Sequence, residues 1–127
     1  MITEFITHLQ SAGLTPSVQF AFTADPIDDY SDELPAILVY PQGDSASPSI
    51  GDNLVIQDFQ SRIVCLLGCA VADYESLKSE LRGAAMGWVH GNYDAMELND
   101  SEIVGLKGGF IWWQETYSVR IRIRQLT

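Results

Sequence analysis

The side chains that could do chemistry are few in this sequence of 127 residues. Its two cysteines, Cys65 and Cys69, lie four residues apart in an apolar run. On a strand, that spacing places both thiols on one face at about 13 Å, which is too far for a disulfide. No further ligands accompany them at the spacing of a metal site. We therefore expect two buried, free thiols, and plain surface positions for the two histidines, His8 and His90.

The sequence contains no recognisable active-site motif. A Gly-x-Ser-x-Gly elbow, a phosphate-binding loop, a dinucleotide fingerprint and a His-Glu-x-x-His helix are all missing. The acids of segment 25–33 lack the spacing, the central glycine and the closing glutamate of the common calcium loop. We therefore predict no catalytic, metal-binding or cofactor-binding residue and no enzymatic activity.

The closing segment, residues 110–124, carries the most informative pattern, because its residues alternate in character as a β-strand requires. One predicted face is mostly apolar and suits packing against helices, whereas the other ends in three arginines. The first face holds Trp113, Glu115, Tyr117, Val119, Ile121 and Ile123, and the second holds Trp112, Gln114, Thr116, Ser118, Arg120, Arg122 and Arg124.

Three like charges in a row on a strand repel one another unless acids answer them. Acids of the same chain could do so, and the row would then be an ordinary solvated surface. Alternatively, Arg120, Arg122 and Arg124 meet acids of a neighbouring subunit or line a channel. In that case Trp112 would add an aromatic anchor of the kind found at interfaces.

Composition and charge narrow the class of protein. With 17 acidic and 7 basic residues the formal charge is −10, which argues against direct, sequence-specific binding of nucleic acid. No apolar run approaches the ~18 residues that cross a membrane, and the start lacks the basic region of a signal peptide. We expect one globular domain over residues 1–127, made in the cytoplasm.

The elements that position these residues follow from hydrophobic periodicity and from glycine and proline. In helix 73–88 the residues Glu75, Lys78, Ser79 and Arg82 are expected to face solvent. The acidic loop includes Asp28, Asp29, Asp32 and Glu33, which are candidate contact residues. The predicted order is helix 2–12, strand 18–22, acidic loop 25–33, strand 34–41, a flexible loop or long hairpin connection 42–53, long strand 54–69, helix 73–88, one or two strands within 96–106, a glycine turn at 107–109 and strand 110–124.

Consecutive strands joined by short turns favour antiparallel pairing. The predicted architecture is therefore α+β: a twisted antiparallel β-sheet with the two helices packed on one face.

This order of segments resembles the tail-terminator, or tail-completion, proteins of long-tailed bacteriophages. After a short helix come the strand at 34–41 (Leu-Pro-Ala-Ile-Leu-Val-Tyr-Pro), a loop rich in glycine and serine, and the long strand at 57–67. A helix then ends near Gly87-Trp88, and residues 109–119 match the pattern Gly-x-x-Trp-Trp-x-Glu-x-Tyr-x-Val. His90 departs from the pattern, because a proline is expected soon after the Gly-Trp pair.

The resemblance implies a structural role in the virion, at the head-proximal end of the tail. Such proteins form a ring, typically a hexamer, that caps the tail tube, stops its polymerisation and offers a surface to the head–tail connector. The implied partners are other copies of the chain, the tail-tube protein and the connector protein, and no cofactor is implied. Loops 25–33 and 42–53 would be natural contact segments.

Two other classes remain open from the sequence. Another phage neck protein, such as a head-completion or connector subunit, would share the same assembly logic. A small enzyme or ligand-binding domain of α+β type would instead need a pocket with converging polar groups, for example around His8, His90 or the acidic loop.

Overall fold

Two helices and five strands make up the described part of the chain. The computed structural model describes residues 1–21 and 34–126, except for the side chain of Leu126. The acidic loop with Asp28, Asp29, Asp32 and Glu33 lies outside these residues, so its predicted contact role stays a prediction. The elements are α1 (Ile2–Ser11), β1 (Ser17–Phe20), β2 (Ala36–Ala46), β3 (Leu54–Ala70), a short 3-10 turn (Val71–Asp73), α2 (Tyr74–Ala85), β4 (Glu97–Lys107) and β5 (Phe110–Leu126).

Both helices form where the apolar spacing predicts them. The buried residues of α1 are Phe5, Ile6 and Leu9, and those of α2 are Leu77, Leu81 and Ala85. Each of these sets repeats at three- and four-residue intervals, so it makes one stripe that faces the sheet. The second helix ends at Ala85, before the predicted residue 88, and Gly87 follows with a left-handed φ of 84°.

The strand order of the single sheet is β1-β2-β3-β5-β4. The predicted α+β architecture is confirmed, and the sheet is mixed rather than wholly antiparallel. The pair β1 and β2 runs parallel, whereas β2–β3, β3–β5 and β4–β5 are antiparallel. The connection between Phe20 and Ala36 is long enough for the chain to return and run in the same direction, which a short hairpin turn could not do.

The hydrophobic core lies between the helices and one face of the sheet, here called the helix face. Directly opposite partners on β3 and β5 share that face, for example Ile63 with Tyr117 and Leu67 with Trp113. The predicted sorting of strand 110–124 into two faces is therefore confirmed. The arginines lie on the other side of the sheet, here called the outer face.

The prediction of a flexible loop or a long hairpin connection over 42–53 is wrong for its first part, whereas residues 47–53 do join the antiparallel strands β2 and β3. Residues up to Ala46 continue β2, with Asp44 opposite Ser61 and Ala46 opposite Phe59. A bulge between Pro41 and Gly43 interrupts the register. Proline, which lacks an N–H, is tolerated there because β1 ends beside Val39 and no other strand of the described residues lies on that side.

Segment 96–106 forms one strand, β4, at the edge of the sheet. Its register with β5 shifts twice, leaving Asn99 and Val104 as extra residues. The predicted glycine turn joins β4 to β5, and both Gly108 and Gly109 have positive φ angles, of 59° and 84°.

Three strands run on beyond the helices. The last fully buried residues on β2, β3 and β5 in that direction are Val39, Ile63 and Val119. Residues 43–46, 54–60 and 120–126 then continue as an extension, here called the distal arm. It is three-stranded up to Ala46 opposite Phe59, and beyond that point β3 and β5 continue as a two-stranded ladder.

Candidate functional site

The arginine row lies on the outer face of the distal arm. An Nη atom of Arg120 lies 3.1 Å from Glu97 on β4. Arg122 is directly opposite Asp58 on β3 and donates to both of its carboxylate oxygens, at 2.7 and 3.1 Å. Acids of the same chain therefore form ion pairs with two of the three arginines, as the simpler of the two sequence interpretations predicts.

These ion pairs remain on the surface. The side chains of Arg120 and Arg122 are each 61% exposed, so each pair contributes little to folding stability. The hydrogen bond from Arg122 lowers the pKa of the Asp58 carboxyl below its usual value, and Asp58 in turn raises the pKa of the Arg122 guanidinium.

Arg124 differs from the other two arginines. Its opposite residue on β3 is Ile56, which carries no charge. Within residues 1–21 and 34–126, no carboxylate forms an ion pair with it. A row of three exposed guanidinium groups, with one of them unanswered in this part of the chain, can still attract an acidic partner.

Trp112 lies on the outer face, as predicted, but at the opposite end of β5 from the arginine row. Its ring packs directly over Gly68, so a Cβ atom built there would lie 2.6 Å from two ring carbons. Leu34 lies over the same glycine. The half-buried indole thus covers the sheet within its own chain, and it is not next to the arginines.

An open groove of about 690 Å³ runs along the distal arm. Among its lining residues are Ser47, Asp58, Asn92, Asp94, Arg120 and Arg122. The backbone N–H of Asp94 donates to the carbonyl of Arg120 at 2.7 Å, which fixes the wall of the groove that follows α2. Both charge signs and the apolar side chains of Phe59 and Ile121 therefore line the groove.

The prediction that Arg82 faces solvent is wrong. Its guanidinium turns under α2 and donates to both carboxylate oxygens of Glu115, at 2.6 and 3.2 Å, and to the hydroxyl of Ser101 at 3.2 Å. The side chain of Glu115 is fully buried. The sequence did contain a signal for this contact, because Glu115 lies among the apolar residues of the helix face. A buried carboxylate there needs a cation as its partner.

The prediction of plain surface histidines is also wrong. Both are half-buried, and both stack on Trp88, with ring centroids 5.6 Å away for His8 and 5.5 Å away for His90. Nε2 of His8 also lies 2.7 Å from the carbonyl of Ala84. These contacts tie α1 to the segment that follows α2.

The two cysteines are buried and free, as predicted. Burial is the main cause of a raised pKa at both thiols, with Glu115 adding to the effect at Cys65 and Asp73 at Cys69. A raised pKa keeps a thiol protonated and unreactive at neutral pH.

Comparisons with protein-family models and with curated proteins found no match to this chain. In the part of the chain that the structure describes, no helix is long and apolar enough to cross a membrane.

Proposed function

We propose that this chain is a tail-terminator protein of a long-tailed bacteriophage, a structural subunit located at the head-proximal end of the tail. Copies of the chain form a ring, typically a hexamer, that caps the tail tube and ends its polymerisation. The ring then offers a surface to the head–tail connector. The chain performs no catalysis and uses no cofactor in this role.

The distal arm is the observation that carries the proposal. It extends past the helices, and one of its exposed edge residues on the helix face, Ile123, is 40% exposed although its side chain is apolar. Large exposed apolar side chains next to charged ones are typical of contact surfaces between proteins. A small domain with such an extension is suited to binding other protein subunits rather than to acting as a monomer.

The order of segments supports the same proposal. The apolar strand within 34–41, the long strand within 57–67 and the closing Trp112-Trp113 strand each carry the residues that resemble the phage family. In the fold these three are neighbours, as strands β2, β3 and β5. The family-like segments therefore form the continuous centre of the sheet.

The test is a tube-capping assay with the tail-tube protein encoded beside this chain. The tube protein is polymerised with and without the purified chain, and tube lengths are measured by negative-stain microscopy. We expect shorter tubes that carry a ring at one end. A Glu75→Lys variant, altered at an exposed position on α2, serves as a control that should cap normally.

Unchanged tube lengths, together with no binding of tube protein, would overturn the proposal. If the chain instead retains the portal or an adaptor protein in a pull-down, the neck-protein interpretation replaces it.

A further inference from the structure

The outer edge of β4 is the longest uncovered strand edge in the described part of the chain. This strand has 11 residues and lies last in the sheet, with β5 on one side and no strand formed by residues 1–21 or 34–126 on the other. At the opposite end of the sheet β1 has only 4 residues, and the side-chain amide of Gln10 donates to its Val18 carbonyl at 3.0 Å. An open edge of that length readily pairs with a further strand.

Aliphatic side chains concentrate on the second half of this edge. Ile103, Val104 and Leu106 are 47%, 50% and 64% exposed. They lie within four consecutive residues, beside the bulge at Val104. Pairing with another strand would remove a large share of this apolar surface from water, which is favourable.

The charges on β4 are arranged so that two antiparallel copies of the strand would place opposite charges against each other. Asp100, Glu102 and Lys107 share the outer face, since their partners on β5 are Thr116, Gln114 and Phe110. Within the described residues none of these three charges takes part in an ion pair. Acids therefore occupy one half of the edge and a cation occupies its end.

We infer that two copies of this chain pair through their β4 edges, antiparallel and about a two-fold axis near Ile103 and Val104. The two five-stranded sheets then continue into one sheet. Such a contact is isologous, so each ion pair forms twice. The inference goes beyond the proposed tail function, because it concerns the free chain and a two-fold contact is not the head-to-tail contact that closes a ring. The dimer leaves the arginine row uncovered for other partners.

The register between the two β4 strands is restricted, because residues that lie opposite each other must be on the same face of the joined sheet. Opposite residues of an antiparallel pair lie on the same face, and the bulge at Val104 shifts the alternation by one residue. With the two-fold axis placed between Ile103 and Gly105, two registers satisfy this condition. One places Asp100 opposite Lys107 of the second copy, and the other places Glu102 opposite Lys107, with Ile103 beside Leu106.

Both registers therefore bring an acid against Lys107, which is the feature that the experiment uses. Opposite charges directly across a strand pair attract, and like charges in that position repel. The test compares the wild-type chain with Lys107→Glu, with Asp100→Lys and Glu102→Lys, and with the two double variants that combine either lysine with Lys107→Glu.

The measurement is sedimentation velocity over a concentration series near physiological salt, where the long-range repulsion between chains of charge −10 is screened over about 8 Å. We expect a wild-type dimer. Lys107→Glu should raise the dimer dissociation constant about tenfold or more, because it creates two like-charge contacts. One double variant should restore it and so identify the register.

Glu75→Lys on α2 is the matched control for Asp100→Lys and Glu102→Lys, because it makes the same charge change on an exposed helix position and should leave dimerisation unchanged. Ile103→Lys should abolish the dimer by placing a charge at its centre. A wild-type chain that stays monomeric, or a loss that neither double variant restores, overturns the inference. Tube capping is scored separately, so failure of the proposed function remains distinguishable.

Discussion

Arg82 of α2 holds both carboxylate oxygens of Glu115 on β5, with its Nε atom 2.6 Å from one oxygen and an Nη atom 3.2 Å from the other. This bidentate pair connects the helix layer to the middle of the sheet. Glu115 is fully buried, whereas a third of the Arg82 side chain reaches solvent. The buried carboxylate therefore depends on one cation that enters from the edge of the helix.

Removing Arg82 should destabilise the fold strongly, because Glu115 would be left as a buried charge without a partner. We expect Arg82→Ala to lower the free energy of unfolding by about 3 kcal/mol, the lower end for a buried pair because water can reach the site. Urea denaturation measures the change. Arg82→Met combined with Glu115→Leu should recover much of the loss, and a cost below about 1 kcal/mol for Arg82→Ala would contradict the prediction.

Two glycine-to-alanine substitutions should change folding stability in opposite directions. At Gly68 the added Cβ would meet the Trp112 ring at 2.6 Å and Leu34 at 2.9 Å, so we expect a loss of about 1–3 kcal/mol from overpacking. At Gly83, which is exposed on α2 with nothing within 4 Å of the new atom, the same change should add about 0.5–1 kcal/mol through helix propensity. Thermal unfolding compares the two, and equal effects would disprove the packing of Trp112 on Gly68.

The thiols of Cys65 and Cys69 should be silent in the native protein. Both are buried, and burial raises the pKa of each, so little reactive thiolate forms at neutral pH. Ellman's reagent should modify neither cysteine in buffer and both in urea. Rapid modification of the native chain would show that β3 opens locally at these positions.

Protonation of Asp58 should uncouple it from Arg122. The pKa of Asp58 is lowered in the folded chain, chiefly by the hydrogen bond from Arg122. Its contribution to stability is therefore complete above the ordinary aspartate pKa and is lost as the pH falls through the lowered folded value. Carboxyl NMR titration should show a higher Asp58 pKa in Arg122→Gln. Arg124→Gln, altered two residues along the same face, should leave the titration unchanged.

Replacing Arg120, Arg122 and Arg124 together by serine should spare the fold and weaken assembly. The two ion pairs that are lost are exposed, and such pairs contribute little to folding stability. Circular dichroism should show native secondary structure, while ring formation and tube capping decline. If both activities are untouched, the arginine row is an ordinary solvated surface and the ring contacts lie elsewhere.

The periodic spacing of apolar residues predicted most of the fold, because each buried position of a helix or strand requires an apolar side chain. The stripes of α1 and α2 and the two faces of β5 could be read from spacing alone, since each residue on the wrong face would lose its burial. The parallel pairing of β1 with β2 could not, because direction depends on how the connection crosses and not on the strand's own residues.

The wrong predictions for individual residues have a different cause. The surroundings of these residues come from distant parts of the chain, which local spacing does not reveal. A helical wheel places Arg82 on the polar side of α2, but its long side chain can reach an acid 33 positions away. Residues 42–46 have the composition of a loop, yet pairing with β3 makes them a strand. His8 and His90 become half-buried because Trp88 lies between them.

Strands β3 and β5 each run for 17 residues, and they stay paired over their whole length. At the usual rise this ladder is about 55 Å long, and it passes from the tip of the distal arm into the core without a break. Tension applied along the arm would load many interstrand hydrogen bonds in shear at the same time, instead of opening them one after another. A pull at the tip of the arm would therefore be resisted along the whole β3–β5 ladder and carried into the part of the sheet that packs against the helices.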